Sequence, residues 1–289
     1  MGTDKQIEIL NIIKKYVEEN KMAPTVREIC GISGLKSTST VYRYLKRLEK
    51  QGYIKKKDNS PRSITIINKE ENKMPIYNEI NVKCRWCGNE HKYRHCRSIN
   101  ITKDKEKKHT ILNNSFFQFR CSKCGETSQL TYKFLYYDTE KKIMICMIPD
   151  YSESLRGELE HFIKDNISED ILKENYIMRV VSNINQLTEK ILINDNDLDD
   201  RIIELLKVYY MSMFRRSNEN EEIEELGLNL NGDTKYITFF LKDGRGQSFK
   251  IDKRLYEEFE KKYVKILDEN EQKRFEEINV KWAESIFYK

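Results

Sequence analysis

The stretch APTVREICGISGLKSTSTVYRYLKRLEKQGYIKKKDNSPRSITII, residues 23–67, decides the fold of the first part of the chain. Thr25-Val26-Arg27-Glu28 is a capping box, in which the threonine hydroxyl caps a helix start and Glu28 reaches back to the Thr25 backbone. The short helix that follows ends at Gly31 or Gly34. Ser37-Thr38-Ser39-Thr40 opens a further helix. Val41, Leu45 and Leu48 form its inner stripe, and Tyr42, Arg43, Lys46 and Lys50 lie mainly on the outer side. Gly52 stops it. Tyr53–Lys56 and Ser63–Ile67 read as two strands joined by a polar turn that holds Lys57, Pro61 and Arg62. Upstream, Ile7, Leu10, Ile13 and Val17 recur at helical spacing and predict a first helix from Asp4 to Asn20.

Three helices and a hairpin of this kind make a reading head for DNA. A helix fits the major groove, where base edges are distinguishable. It needs short polar residues at its N-terminal end to approach the bases and basic neighbours to hold phosphates. Ser37 to Arg43 supply that combination, and Lys36, Lys46, Lys55, Lys56, Lys57 and Arg62 are the candidate backbone contacts. Charge is distributed accordingly. Residues 1–68 hold 14 Lys/Arg against 7 Asp/Glu, whereas the remainder holds 38 against 40. A basic head on a near-neutral body fits a polyanion. Two other readings of the same residues stay open: a solubility effect, and a three-helix protein-interaction module with a basic face.

The run from Ala23 to Ile67 closely resembles the winged helix-turn-helix DNA-binding domain of LexA repressors, notably the type found in Gram-positive bacteria. The resemblance is carried by the Pro-Thr-x-x-Glu-Ile opening, the Ser-rich start of the reading helix, the Leu-x-x-Leu-x-x-x-Gly exit and the Pro-Arg-x-Ile wing. It covers most of residues 1–68 and implies base-reading roles for Ser37, Ser39, Thr40, Tyr42 and Arg43. It stops at the linker expected over residues 69–78. LexA repressors continue into a self-cleaving domain with a Ser-Lys dyad. No matching Ala-Gly cleavage site, and no serine segment followed by a lysine strand, occurs after residue 68. Self-proteolysis is not expected.

Beyond the linker, Cys84-Arg85-Trp86-Cys87-Gly88 and Cys121-Ser122-Lys123-Cys124-Gly125 form two knuckles separated by 33 residues. Two residues between thiols let both sulfurs point at one ion, and the glycine permits the tight turn beneath them. Four thiolates satisfy Zn²⁺ tetrahedrally and leave no position for a reactive water. Cys84, Cys87, Cys121 and Cys124 are therefore expected to hold a structural zinc ion. A redox switch at the same thiols, iron in place of zinc, and substitution of one ligand by His91, His95 or Cys96 stay open. The segments KCRWCGNEHKYRHCRSINITKDKEKK and FFQFRCSKCGETSQLTYKFLYYDTEKKIMICMIPD look like the CpXC domain of bacterial proteins. Arg85 and Ser122 stand where that family's name has proline. The Leu-Tyr-Tyr-Asp-x-Glu-Lys-Lys segment, the Ile-Pro-Asp ending and the later stretch NINQLTEKILINDNDLDDRIIELLK support the likeness. It implies an architecture and no particular reaction.

The chain of 289 residues is long enough for two or three domains of ~100–200 residues. The expected map is a head at 1–68, the linker at 69–78, a zinc-ribbon module at 79–150 and a helix-rich body at 151–289, continuous with the module or separate from it. The overall class is α+β and multidomain. In the body, apolar stripes predict helices around 184–191 and 202–208. Strands are expected at 226–230, 236–241 and 247–251, and two charged helices at 253–267 and 270–288. Asp195, Asp197, Asp199 and Asp200 read as capping acids and carry no assigned role.

No run approaches the ~18 apolar residues of a membrane span, and the N-terminus lacks the apolar core of a secretory signal. A cytoplasmic, non-enzymatic, sequence-specific transcriptional regulator follows, a repressor by analogy with the head. It is expected to bind a palindromic double-stranded operator as a homodimer, because one head reads only a few base pairs. The alternatives are a zinc-, redox- or ligand-responsive sensor, and an interaction module for phage conflict or stress whose body binds a protein partner. Only four histidines and no paired carboxylates are available to nominate a catalytic centre.

Overall fold

The computed structural model describes residues 3–50, 53–57, 62–66, 76–167, 169–272 and 274–287. The chain divides into two compact units, Met1–Ile76 and Tyr77–Lys289. Most of the expected linker, residues 69–75, lies outside the described residues, as do Gly52, Pro61 and the tip of the hairpin turn. Residues 76–78 already belong to a strand.

The first unit contains α1 (Thr3–Asn20), α2 (Val26–Ile32), α3 (Thr38–Lys50) and the antiparallel pair β1 (Ile54–Lys55) and β2 (Thr65–Ile66). The capping box at Thr25 is formed in both directions. Thr25 Oγ1 accepts from the Glu28 N–H at 3.2 Å, and Glu28 Oε2 accepts from the Thr25 N–H at 2.6 Å. Val41, Leu45 and Leu48 of α3 close on Ile9, Leu10 and Ile13 of α1 and on Ile29, Tyr53, Ile54 and Ile64. The inner face of α1 thus carries Leu10 and Ile13 of the expected stripe with Ile9 beside them, Val17 packs at its margin, and Gln6 is taken inside with it. The hairpin strands are shorter than expected, two residues each.

The second unit begins with β3 (Ile76–Lys83) and β4 (Glu90–Asn100), followed by α4 (Lys105–Leu112) and a short hairpin of β5 (Gln118–Arg120) and β6 (Thr127–Gln129). The chain continues through β7 (Phe134–Asp138), β8 (Ile143–Met147), α5 (Arg156–Asn166), α6 (Glu169–Leu172) and β9 (Ile177–Val181). One sheet runs in the order β3-β4-β7-β8-β9, with β4/β7 and β8/β9 parallel and β7/β8 antiparallel. Every residue of β7 and β8 is buried, so both faces of the sheet are covered. Phe134 and Tyr136 face one side, toward Ile184, Leu187 and Ile191. Leu135 and Tyr137 face the other, toward Leu159, Phe162 and Ile163 of α5. Because β8 and β9 pair across residue 150, the chain on either side of that position builds one sheet. No separate body starts there.

The remaining elements are α7 (Ile184–Asp195), α8 (Asp200–Ser217), the meander β10 (Ile223–Asn231), β11 (Thr234–Leu241) and β12 (Gly246–Lys250), α9 (Lys253–Asn270) and α10 (Val280–Phe287). Ile203, Leu206 and Phe214 of α8 pack on Leu228, Ile237 and Phe239 of the meander. The expected helix over 270–288 is corrected to α10 alone. Before it, Phe275 and Ile278 are buried, and the backbone of Glu276 completes the edge of β9 through bonds with Met178 and Val180. An extended chain satisfies those edge groups, which a helix could not. No helix of the described residues is long and apolar enough to cross a membrane.

Candidate DNA-reading surface and metal centre

Two places in the chain carry chemistry. On the first unit, Ser37, Ser39, Tyr42, Arg43 and Lys46 are exposed and Thr40 is half-buried. The Ser37 hydroxyl accepts from the Ser39 N–H at 3.2 Å, so it serves the start of α3. The Lys56 ammonium sits over the Tyr42 ring, 4.2 Å from its centroid, which joins the wing to the exposed side of α3. Lys36, Lys55 and Lys57 are exposed. Arg62 is engaged inside the unit: its guanidinium donates to Glu28 Oε1 at 2.9 Å and to the Ala23 carbonyl at 3.1 Å. Glu28 therefore serves two purposes, cap and anchor of the wing. Its carboxyl is held down at about 2, first by the Thr25 backbone N–H, then by the Thr25 and Tyr16 hydroxyls, with Arg62 adding to them. The sequence assigned Arg62 to DNA phosphates. It did not reveal that Arg62 locks β2 onto α2, because the partners lie 34 and 39 positions away.

On the second unit, Cys84–Gly88 turns between β3 and β4, and Cys121–Gly125 turns between β5 and β6. The two turns are built alike. In each, the first cysteine receives the glycine N–H, at 2.8 Å for Gly88 and 2.9 Å for Gly125, and donates to a residue beyond it, Asn89 or Glu126. Gly88 and Gly125 have φ of 70° and 78°, a region that side-chain-bearing residues rarely adopt. All four Sγ atoms lie within 4.8 Å of one another. Cys84 and Cys124 are 3.7 Å apart, and Cys87 and Cys121 3.6 Å. A tetrahedron with Zn–S of about 2.3 Å has edges of about 3.8 Å, which these two pairs approach, so the donor set could hold such an ion. The Cys124 N–H pulls the Cys121 thiol down to about 6. Despite the Glu126 N–H, partial desolvation and the thiols of Cys121, Cys87 and Cys84 push Cys124 up to about 12. Four thiolates this close repel, and a cation among them removes that cost.

The neighbouring candidates separate clearly. Cys96 is buried among Ile99, Phe117 and Tyr132, and burial pushes its thiol up to about 12. His95 packs against Tyr132, with ring centroids 4.5 Å apart. Neither belongs to the four-thiol cluster. His91 approaches it without replacing a ligand. Its Nε2 is 3.2 Å from Cys121 Sγ, and its ring packs at a tilt against Phe119, with centroids 5.1 Å apart. Sequence spacing offers His91 as one of three alternative ligands; its contact with the Cys121 sulfur is visible only once the strands are paired. The four aspartates at 195–200 also find partners. Asp199 caps α8 by accepting from the Arg201 N–H, and Asp195, Asp197 and Asp200 pair with Lys108, Lys141 and Arg179.

Comparison with known proteins matches both places. Residues 2–63 match the LexA DNA binding domain family, and residues 82–207 match the CpXC protein family. The second match runs through position 150, as the shared sheet does, and continues into α8. The LexA repressor of Caldicellulosiruptor saccharolyticus is 54% identical over 66 residues, which is 23% of this chain and 33% of that protein. The LexA repressor of Acetivibrio thermocellus is 46% identical over 69 residues, 24% of this chain and 32% of that one. That of Limosilactobacillus fermentum is 50% identical over 65 residues, 22% and 31% of the two chains. The chain thus spans about a third of the length of these curated relatives, all of it in the head. It carries a LexA-type DNA-binding domain at its N-terminus and a CpXC domain in its C-terminal part.

Proposed function

We propose that this protein is a sequence-specific DNA-binding transcriptional regulator, acting as a repressor, with a structural zinc ion at Cys84, Cys87, Cys121 and Cys124. The observation that carries the reading is the exposed row Ser39, Tyr42 and Arg43 on α3, flanked by Lys36, Lys46, Lys55, Lys56 and Lys57, in a unit that matches a LexA DNA-binding domain. In this reading α3 enters the major groove, Thr40 and Ser37 lie at its entry, and the wing lies on the backbone. Two copies bind a palindrome, with contacts between copies made by the body. Bound zinc supplies cross-linking of two hairpin turns and no reactive water. The working domain map is a head at 1–68 and a linker at 69–78. The zinc module at 79–150 is continuous with the rest of the body at 151–289.

Two substitutions test the head. Arg43→Ala is expected to cost about 1–3 kcal/mol on the preferred site and to relax the preference at one base position. Lys56→Ala is expected to weaken all duplexes about equally and to lower the slope of log affinity against log salt by about one. Equilibrium binding to a specific and a scrambled duplex at several salt concentrations checks both. Unchanged sequence preference in Arg43→Ala would remove α3 as the reading helix.

One observation favours a second reading, in which the body releases DNA on a redox signal. Cys124 is the exposed member of the four thiols and is open to an oxidant. DNA affinity that falls on peroxide or chelator treatment, and returns with reductant and zinc, supports that reading. Indifference to both removes it.

A further inference from the structure

The tip of the first knuckle carries an aromatic residue that the fold does not use. Trp86 is 59% exposed, and the Arg85 guanidinium lies over its ring at 4.8 Å from the centroid. An indole in solvent contributes little to the stability of this turn, which the cysteines and Gly88 already hold. The two knuckles and the strands that carry them bear further cations. Lys83, Arg85, Lys92, Arg120 and Lys123 are exposed on β3, β4, β5 and the two knuckles, and among the described residues none is in an ion pair. Residues 79–130 hold eleven Lys/Arg against five Asp/Glu, although the chain beyond residue 68 is slightly acidic as a whole. Exposed acids are present here too, at Glu90 and Glu126, and they do not cancel the excess.

An open indole with an arginine held over it, set among uncompensated cations, matches the needs of one ligand chemistry. A flat π-face takes a nucleobase, and the cations take the phosphodiester backbone on either side of it. A base inside a duplex has both faces occupied by its neighbours, so the partner must offer an unpaired base. A protein partner would more often meet a wider apolar patch around the tryptophan. Here the flanking positions are Arg85, Gly88, Ser122 and Lys123.

We propose that the zinc-knuckle tip, centred on Trp86 and Arg85, is a second nucleic-acid site that stacks an unpaired base of single-stranded DNA or RNA. The site is independent of α3 and does not need the duplex-reading surface.

The test titrates the metal-loaded full-length protein with dodecamers of thymidylate and of uridylate, following tryptophan emission. The chain has two tryptophans, and the other, Trp282, is half-buried in α10. Saturable quenching is expected, and the stronger of the two oligomers identifies the physiological strand. Trp86→Ala is expected to remove the quenching and to weaken binding about tenfold, with Trp86→Phe restoring most of the affinity. Arg43→Ala, which alters duplex reading, should leave this signal intact. Bound-metal content verifies that each variant keeps its knuckle, and Lys123→Glu, outside the tryptophan turn, should weaken binding independently. Emission unchanged by either oligomer overturns the proposal. So does quenching by duplex alone, or single-strand affinity equal to wild type in Trp86→Ala.

Discussion

Replacing Lys207 by methionine is expected to destabilise the second unit by about 3–5 kcal/mol, the cost of leaving buried carboxylates without their cation. Lys207 Nζ donates to Glu189 Oε2 at 2.7 Å and to Glu204 Oε1 at 3.1 Å. Glu204 also accepts from Lys190 at 2.9 Å, and Lys190 reaches Asp200 at 3.0 Å. Asp200 is bound in turn by Arg179 of β9. Lys190, Lys207, Glu204 and Arg179 are each 3% exposed or less, so water does not replace a lost partner. The chain of charges ties β9, α7 and α8 together beside a cleft of about 930 Å³. Burial alone would raise the Asp200 carboxyl, but Arg179 and Lys190 outweigh it and hold the group well below the ordinary range. A depressed carboxylate contributes its stability fully above its unfolded pKa of about 3.9, and that contribution is lost as pH falls below it. Urea denaturation at pH 7 measures the Lys207→Met effect. A loss below about 1 kcal/mol would mean that the network is solvated and replaceable.

Replacing Cys121 by serine is expected to abolish stoichiometric metal binding and to unfold the two hairpins that carry the knuckles. Structural zinc sites contribute about 10–16 kcal/mol of apparent binding free energy, so even a weakened site removes much of the local stability. Around the four thiols the hydrophobic support is small, comprising Val82, Phe119 and the cysteines themselves with Ile80, Tyr93 and Leu130 at its margin. The large sheet, with β7 and β8 wholly buried, should survive. Metal analysis of purified wild type and variant, with amide exchange over residues 79–94 and 118–129, separates the two effects. Equal exchange in both proteins would contradict a structural role for the ion.

The parts of this molecule that were legible in sequence are those governed by neighbours within four residues. Thr25 and Glu28 make the capping box that their spacing dictates, and each Cys-x-x-Cys-Gly forms its turn. The inner stripe of α3 and the meander with turns at Gly232 and Gly244 follow from the same local rules. What escaped depends on distant pairing. The parallel contacts β4/β7 and β8/β9 join strands separated by whole crossovers, and no local pattern orders them. Phe275 and Ile278 have helical spacing, yet Glu276 is drawn out by the unsatisfied edge of β9. Arg62 looks like a phosphate cation until Glu28 is seen beneath it. The excess charge of residues 79–130 was hidden by averaging it with the acidic segment that follows.

The most direct test of the central claim is selection of bound sites from a random duplex DNA library by zinc-loaded, full-length protein. The account predicts an enriched palindrome whose half-sites lose definition at one position in Arg43→Ala. Recovery of unselected sequence, with binding that depends on salt alone, would contradict it.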